Sequence, residues 1–190
     1  MKSVGFEKFL QEHTASGKEK MDGYTLDYFD QMTNAERTHA FTLLSHELQN
    51  SSVAIDPLFY INKPEACAIF KEKYLTDKKV NHVNFHLVAK LWSCNKSDIY
   101  AEDFAACYES VSEYSLIAYI NDATNIDHKK SSEILAKIIL DCEKEYVRRH
   151  AAKALTFKMS IVDEIERKQI ADSSNNCNLT TLRASLLAAP

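Results

Sequence analysis

Apolar residues recur at three- and four-residue intervals along most of this chain, the pattern of helices that each bury one face. Phe6, Phe9, Leu10 and His13 form a first short stripe; beyond a turn-prone segment from Ser16 to Gly23, Leu26, Phe29 and Met32 form a second. Thr33-Asn34-Ala35-Glu36 reads as a capping box, because the threonine hydroxyl can accept from the Glu36 amide while that carboxylate reaches back. The helix it opens would bury Ala40, Phe41, Leu44 and Leu48. Further helices are expected from Val53 to Ile61, from Lys63 with Ala66, Ile69, Phe70 and Tyr74 inward, and from Lys79 to Cys94 with Val80, Val83, Leu87 and Leu91 on one stripe and Phe85, Val88 and Trp92 on a second. Starts follow at Ser97, near Ser112, near His128 and at Glu145, the last helix running to about Met159 with Val147, Ala151, Ala154 and Leu155 inward.

These stripes come in pairs. First helices begin near Thr33, Lys63, Ser97 and His128, which are 30, 34 and 31 residues apart, a spacing that predicts stacked helical hairpins. The expected organisation is one domain over residues 1–190: lead-in helices over 1–32, four hairpins over 33–159 and capping helices over 160–190. Ser160 with Asp163 would open the cap, and Leu179, Leu182 and Leu186 would close it.

Composition supports the all-α reading. Glycine stands only at positions 5, 17 and 23 and proline only at 57, 64 and 190, where about thirteen glycines would be usual for this length. Without glycine after Gly23, hairpin turns needing positive φ and phosphate-cradling loops have no residue to build them. No apolar stretch is long enough to span a bilayer. Five cysteines (67, 94, 107, 142 and 177) with no close pair read as free thiols of a cytoplasmic protein. A net charge of −4 argues against general nucleic-acid binding, which needs a basic stripe.

Charge is unevenly distributed. From Ser97 to His128 the chain carries Asp98, Glu102, Asp103, Glu109, Glu113, Asp122 and Asp127 with no lysine or arginine, while the segments on either side are rich in lysine. If one helix continues from Ser97 through Ser112, Asp98, Glu102, Glu109 and Glu113 fall within about 60° of one another, with Asp103 farther round. Gathered carboxylates suit a basic partner. Tyr100, Tyr114 and Tyr119 would offer hydroxyls beside them, tyrosine being favoured at interface hot spots, while Tyr108 is assigned to the core. The candidate partner-binding set is therefore Asp98, Tyr100, Glu102, Asp103, Glu109, Glu113, Tyr114 and Tyr119; an ordinary solvated polar face is the alternative.

Other chemistry has less to stand on. His82 and His86 are one helical turn apart, but Val83 occupies the place a metalloprotease motif gives to glutamate, and no third ligand lies nearby. Cys67, Cys107 and Cys142 fall on apolar stripes rather than beside a histidine in a basic pocket. No nucleophile elbow, phosphate loop or paired-histidine pattern occurs, so no catalytic residue, metal or cofactor is expected and the chain is read as a non-enzyme. Arg148, Arg149, Lys153 and Lys144 form a basic helix face that keeps a nucleic-acid-binding alternative open, as does a general scaffold role.

Glu145-Tyr-Val-Arg-Arg-His-Ala-Ala-Lys-Ala-Leu155 resembles the second helix of a HEAT-like repeat, in which Val-Arg is followed by small alanines and then leucine. Val83 to Leu91 echoes it more loosely. The resemblance implies a right-handed solenoid of four to five antiparallel helical hairpins over roughly residues 33–159. Small, acidic-to-neutral, all-helical chains of this kind, with starts like Tyr24 to Leu44, are similar to immunity proteins of bacterial contact-dependent growth inhibition systems. That second resemblance implies binding and neutralisation of a cognate toxin domain: a basic domain, a nuclease, with an EndoU-type RNase among the candidates. It implies no nucleic-acid or membrane partner and leaves the oligomeric state open. These families share no site motif, so no residue role follows from it.

Overall fold

The computed structural model describes residues 2–15, 23–80 and 82–158. Among them are ten α-helices, α1 to α10 in chain order, three short 3₁₀ turns and no strand. No helix of the described residues is long and apolar enough to cross a membrane. The chain divides into two compact units, Met1–Cys94 and Asn95–Pro190. The expected capping helices over 160–190, with Cys177, lie outside the described residues.

In the first unit, α1 (Val4–Thr14) packs on the single turn α2 (Asp27–Asp30). A cluster of rings holds them: Phe9 lies 5.6 Å from Phe29, 5.5 Å from Tyr24 and 6.0 Å from Phe6, centroid to centroid. Gly5 makes the approach possible, because a Cβ there would sit 2.2 Å from the Tyr28 carbonyl oxygen. The capping box at Thr33 forms as the sequence predicts and opens α3 (Asn34–Glu47). Its Glu36 carboxylate does more than the motif requires. One oxygen accepts from the Thr33 amide at 2.9 Å and the other from the Ser3 amide at 2.8 Å, so one side chain ties the starts of α1 and α3 together.

The remaining elements of this unit are α4 (Ile55–Ile61), preceded by the 3₁₀ turn Ser52–Ala54, then α5 (Lys63–Lys79) and α6 (Phe85–Asn95). Leu44, Leu48, Ile55, Leu58, Phe70, Leu87 and Leu91 are buried between them. Helix α6 begins six residues later than the pattern predicts. The Asn84 side-chain oxygen accepts from the amides of His86 and Leu87, which sets the start there and leaves His82 outside the helix.

The cysteines depart from expectation. Cys67, in the first turns of α5, and Cys94, near the end of α6, form a disulfide with their Cα atoms 6.0 Å apart. They are 27 residues apart in the chain, and it is the reversal of direction between the two helices that brings them together. Free thiols are therefore the wrong reading for this pair. Cys107, buried, and Cys142, half-buried, are not in a disulfide.

The second unit holds α7 (Asp98–Cys107), α8 (Leu116–Asn125), α9 (Lys129–Asp141) and α10 (Glu145–Lys158). α9 packs against the other three, and α8 against α10. The start of α9 is capped by His128, whose Nδ1 accepts from the Lys130 amide at 3.2 Å. Ala151, Ala152 and Ala154 are buried on α10, as the small-residue pattern there leads one to expect; small side chains let helix axes come close.

A carboxylate face on helix α7

Tyr100, Ala101, Phe104 and Cys107 are buried on α7 and fix its rotation. Asp98, Ile99, Glu102 and Ala106 are exposed, and at about 100° per residue they share an arc of about 100° on the opposite side. Asp103, at the edge of that arc, is half-buried. Ile99 leaves 48% of its surface to solvent at one edge of this arc, between Glu102 and Asp103. An apolar residue beside carboxylates on a helix packed from behind is a surface that needs little ordering before it binds.

The predicted row of carboxylates does not run on past this helix. α7 ends at Cys107, the 3₁₀ turn Tyr108–Ser110 follows, and Val111 and Ser112 take extended backbone angles before a second 3₁₀ turn, Glu113–Ser115. Glu109 and Glu113 therefore leave the face. Glu109 bonds Lys137 of α9 at 2.5 Å and Glu113 pairs with Lys144 just before α10. Asp98 faces His128 Nε2 at 3.6 Å yet keeps 80% of its side chain exposed. The basic segment after the acidic stretch thus neutralises Glu109 and Glu113 within the chain itself. Among the described residues, Glu102 makes no ion pair.

The tyrosines sort differently from expectation. Tyr119 has no exposed surface; its ring stacks on Phe104 with centroids 4.4 Å apart, and its hydroxyl donates to the Phe104 carbonyl at 3.0 Å. Burial first, then the neighbouring Cys107 and Tyr108, pushes its phenol well above the ordinary range. Tyr100 is 5% exposed. Neither can show a hydroxyl to a partner, because each fills the space between helices that a smaller residue would leave empty. Tyr108, expected in the core, is half-buried beneath the Lys137 ammonium, 5.1 Å from its ring centroid. Tyr114 alone of the three proposed contacts is available, at 96% exposure.

Elsewhere the structure brings together residues that the sequence holds apart. The Asp56 carboxylate receives His86 Nε2 at 3.1 Å and Lys90 Nζ at 2.6 Å. These partners, His86 foremost, hold it far below the ordinary carboxylate range. In the N-terminal region His13 Nδ1 lies 2.8 Å from the Tyr24 hydroxyl, which donates to Glu47. Burial and that carboxylate raise the Tyr24 phenol. The one-turn spacing of His86 and Lys90 puts both on one side of the helix, but nothing in the sequence pointed to Asp56 or to Glu47. His82, outside the helix and exposed, does not join His86 as a pair of ligands. Among the described residues no three His, Cys, Asp or Glu side chains come together as metal ligands would. Comparison of the chain with models of protein families, with curated proteins and with solved structures found no match.

Proposed function

We propose that this chain is an immunity-type binding protein, a HEAT-like stack of helical hairpins that neutralises a basic toxin domain by occupying it. The observation that carries the reading is the exposed face of α7, where Asp98 and Glu102 lie beside Ile99 on a helix whose opposite side is buried. Carboxylates on such a face attract a cleft lined with lysine and arginine and speed encounter, while the apolar centre supplies contact area. A nuclease is the fitting target, because its cleft must be basic to hold phosphate. Inhibition is by occupancy, one chain to one toxin domain, and needs no turnover. The face is smaller than the sequence suggests: Asp98, Glu102 and the edge residue Asp103 belong to it, and Glu109, Glu113, Tyr100 and Tyr119 do not.

The setting is the cytoplasm of the toxin's target cell. Cys67 and Cys94 lie in the first unit and α7 in the second, so the reading holds whether that pair is oxidised or reduced. The test is co-expression with the toxin domain encoded beside this gene. Cells carrying the wild-type chain are expected to survive, and the charge reversals Asp98→Lys with Glu102→Lys are expected to abolish protection at unchanged expression. Survival that is indifferent to this chain, or protection that persists through both reversals, would reject the reading.

A further inference from the structure

Helix α10 is packed on most of its circumference. Val147, Ala151, Ala154 and Leu155 are buried on one side, and Ala152 and Thr156 on the other. What remains open is an arc of about 100° carrying Tyr146, Arg149, His150, Lys153 and Phe157. Tyr146 is 57% and Phe157 63% exposed, and they sit at the two ends of this strip, about 16 Å apart along the axis. Two carboxylates border it: Glu145, bonded to Arg149, and Glu113, bonded to Lys144. Lys144 extends the strip: it pairs with Glu113 and its ammonium sits 6.0 Å from the Tyr146 ring centroid. Arg149 is held by Glu145 one turn back, and His150 by Asn121 at 2.8 Å, whereas Lys153 makes no ion pair among the described residues. Arg148, assigned to this face from the sequence, points about 150° away and is half-buried.

Exposed aromatic rings and arginine are enriched at interface centres, and Lys153 between the two rings adds a charge that an acidic surface can pair. The occupant must be acidic with an apolar residue among its charges. That surface is already present in this chain: the α7 arc of Asp98, Ile99 and Glu102, about 6 Å long. It is the complement of the middle of the α10 strip, around Lys153, in sign and in apolar content. We propose that the α10 strip docks a second copy of this chain, by the acidic face of that copy's α7, with Lys153 set against Glu102. Each chain repels the other weakly through its net charge of −4, but beyond a Debye length of about 8 Å that repulsion is screened, and the local pairs decide. One helix face on another buries less than a stable dimer needs, so the association is weak, concentration-dependent and weakened by salt. It covers the same α7 face that the proposed function uses, and so holds that face in reserve until a tighter partner competes for it. The docking itself requires no toxin.

The test is sedimentation of the purified full-length chain over a range of concentrations. At low ionic strength the average mass is expected to rise with concentration, and to fall back to the monomer at about 0.5 M salt, where screening shortens to a few ångströms. Lys153→Glu and Glu102→Lys, each at an exposed position and checked for unchanged helicity by circular dichroism, should each weaken association at least about tenfold, a loss of about 1.4 kcal/mol. An equimolar mixture of the two variants should associate again, because the unaltered strip of one meets the unaltered face of the other and the two reversed surfaces also match. A mass that stays monomeric at every concentration, or single variants that associate like wild type, or a mixture that fails to recover, would overturn the proposal. So would capture of a single-stranded RNA oligonucleotide, lost in Lys153→Glu, by a chain that remains monomeric. Protection from a toxin is a separate readout: Lys153→Glu keeps the α7 face intact and should still protect, so the two readings can fail independently.

Discussion

At the scale of single residues, Gly5 shows how one missing side chain sets a tertiary contact. Replacing it with alanine would favour α1 by about 1 kcal/mol through helix propensity alone. The same methyl would have to enter the 2.2 Å gap to the Tyr28 carbonyl oxygen, with Gln31 Cβ only 2.8 Å away. A backbone oxygen cannot swing aside as a flexible side chain does, and overpacking of this kind costs about 1–3 kcal/mol. A contact this short puts the clash at the upper end of that range, so it outweighs the propensity, and Gly5→Ala is expected to destabilise the chain by up to about 2 kcal/mol, read as a lower urea midpoint with an unchanged m-value. Tyr119 makes the same point about legibility. Its place in the period allowed it to be read as a surface hydroxyl, and only the position of the Phe104 carbonyl shows that the hydroxyl has its partner inside.

Whole elements were largely legible, their joints less so. The capping box at Thr33, the Asn62-Lys63-Pro64-Glu65 start of α5 and the apolar stripes of α9 and α10 all appear where periodicity and end signals place them. Such signals act within one or two turns and so are written locally. The joints failed where a side chain from outside the pattern intervened, as Asn84 does for α6, or where the backbone turned before the apolar pattern did, as at Val111. Glu36 joins two elements and gives their association a pH dependence. The Ser3 amide foremost, with that of Thr33, holds its carboxyl at about 2, down from an ordinary 4.5. A depressed carboxyl stabilises the fold fully above its unfolded value and loses that contribution as it protonates. The stabilisation is thus complete above pH 4.5 and is lost as pH falls toward 2. Glu36→Gln should be less stable than wild type at neutral pH, and the gap between their urea midpoints should close by about pH 2; a gap that is the same at both pH values would contradict the role given to Glu36.

For the molecule as a whole, the division at Cys94 separates two kinds of stabilisation. The first unit carries the Cys67–Cys94 staple, and the second has no disulfide among its described residues. Closing a loop of 27 residues removes unfolded-state freedom equivalent to about 3.5 kcal/mol in the chain-entropy account. Intact mass before and after reduction should differ by the two hydrogens of one disulfide. Hydrogen exchange should then quicken at the amides of α5 and α6 while those of α9 and α10 hold steady. A chain whose mass does not change on reduction, or whose exchange changes equally in both units, would count against this assignment.

What the sequence by itself determined is what short-range physics can write into it: an all-α chain, where most helices begin, which face of each is apolar, and where charge of each sign is concentrated. Helix periodicity and capping act over a few residues, so they survive in one dimension. The tertiary structure alone decided which charges stay available. Lys137 and Lys144 come from elsewhere in the chain to take Glu109 and Glu113, and the core claims Tyr100 and Tyr119. It also decided that Cys67 meets Cys94 and that α10 leaves an aromatic and cationic strip open. Each of these depends on pairs of residues far apart in the chain, and their meeting is set by how helices pack, which no local pattern encodes.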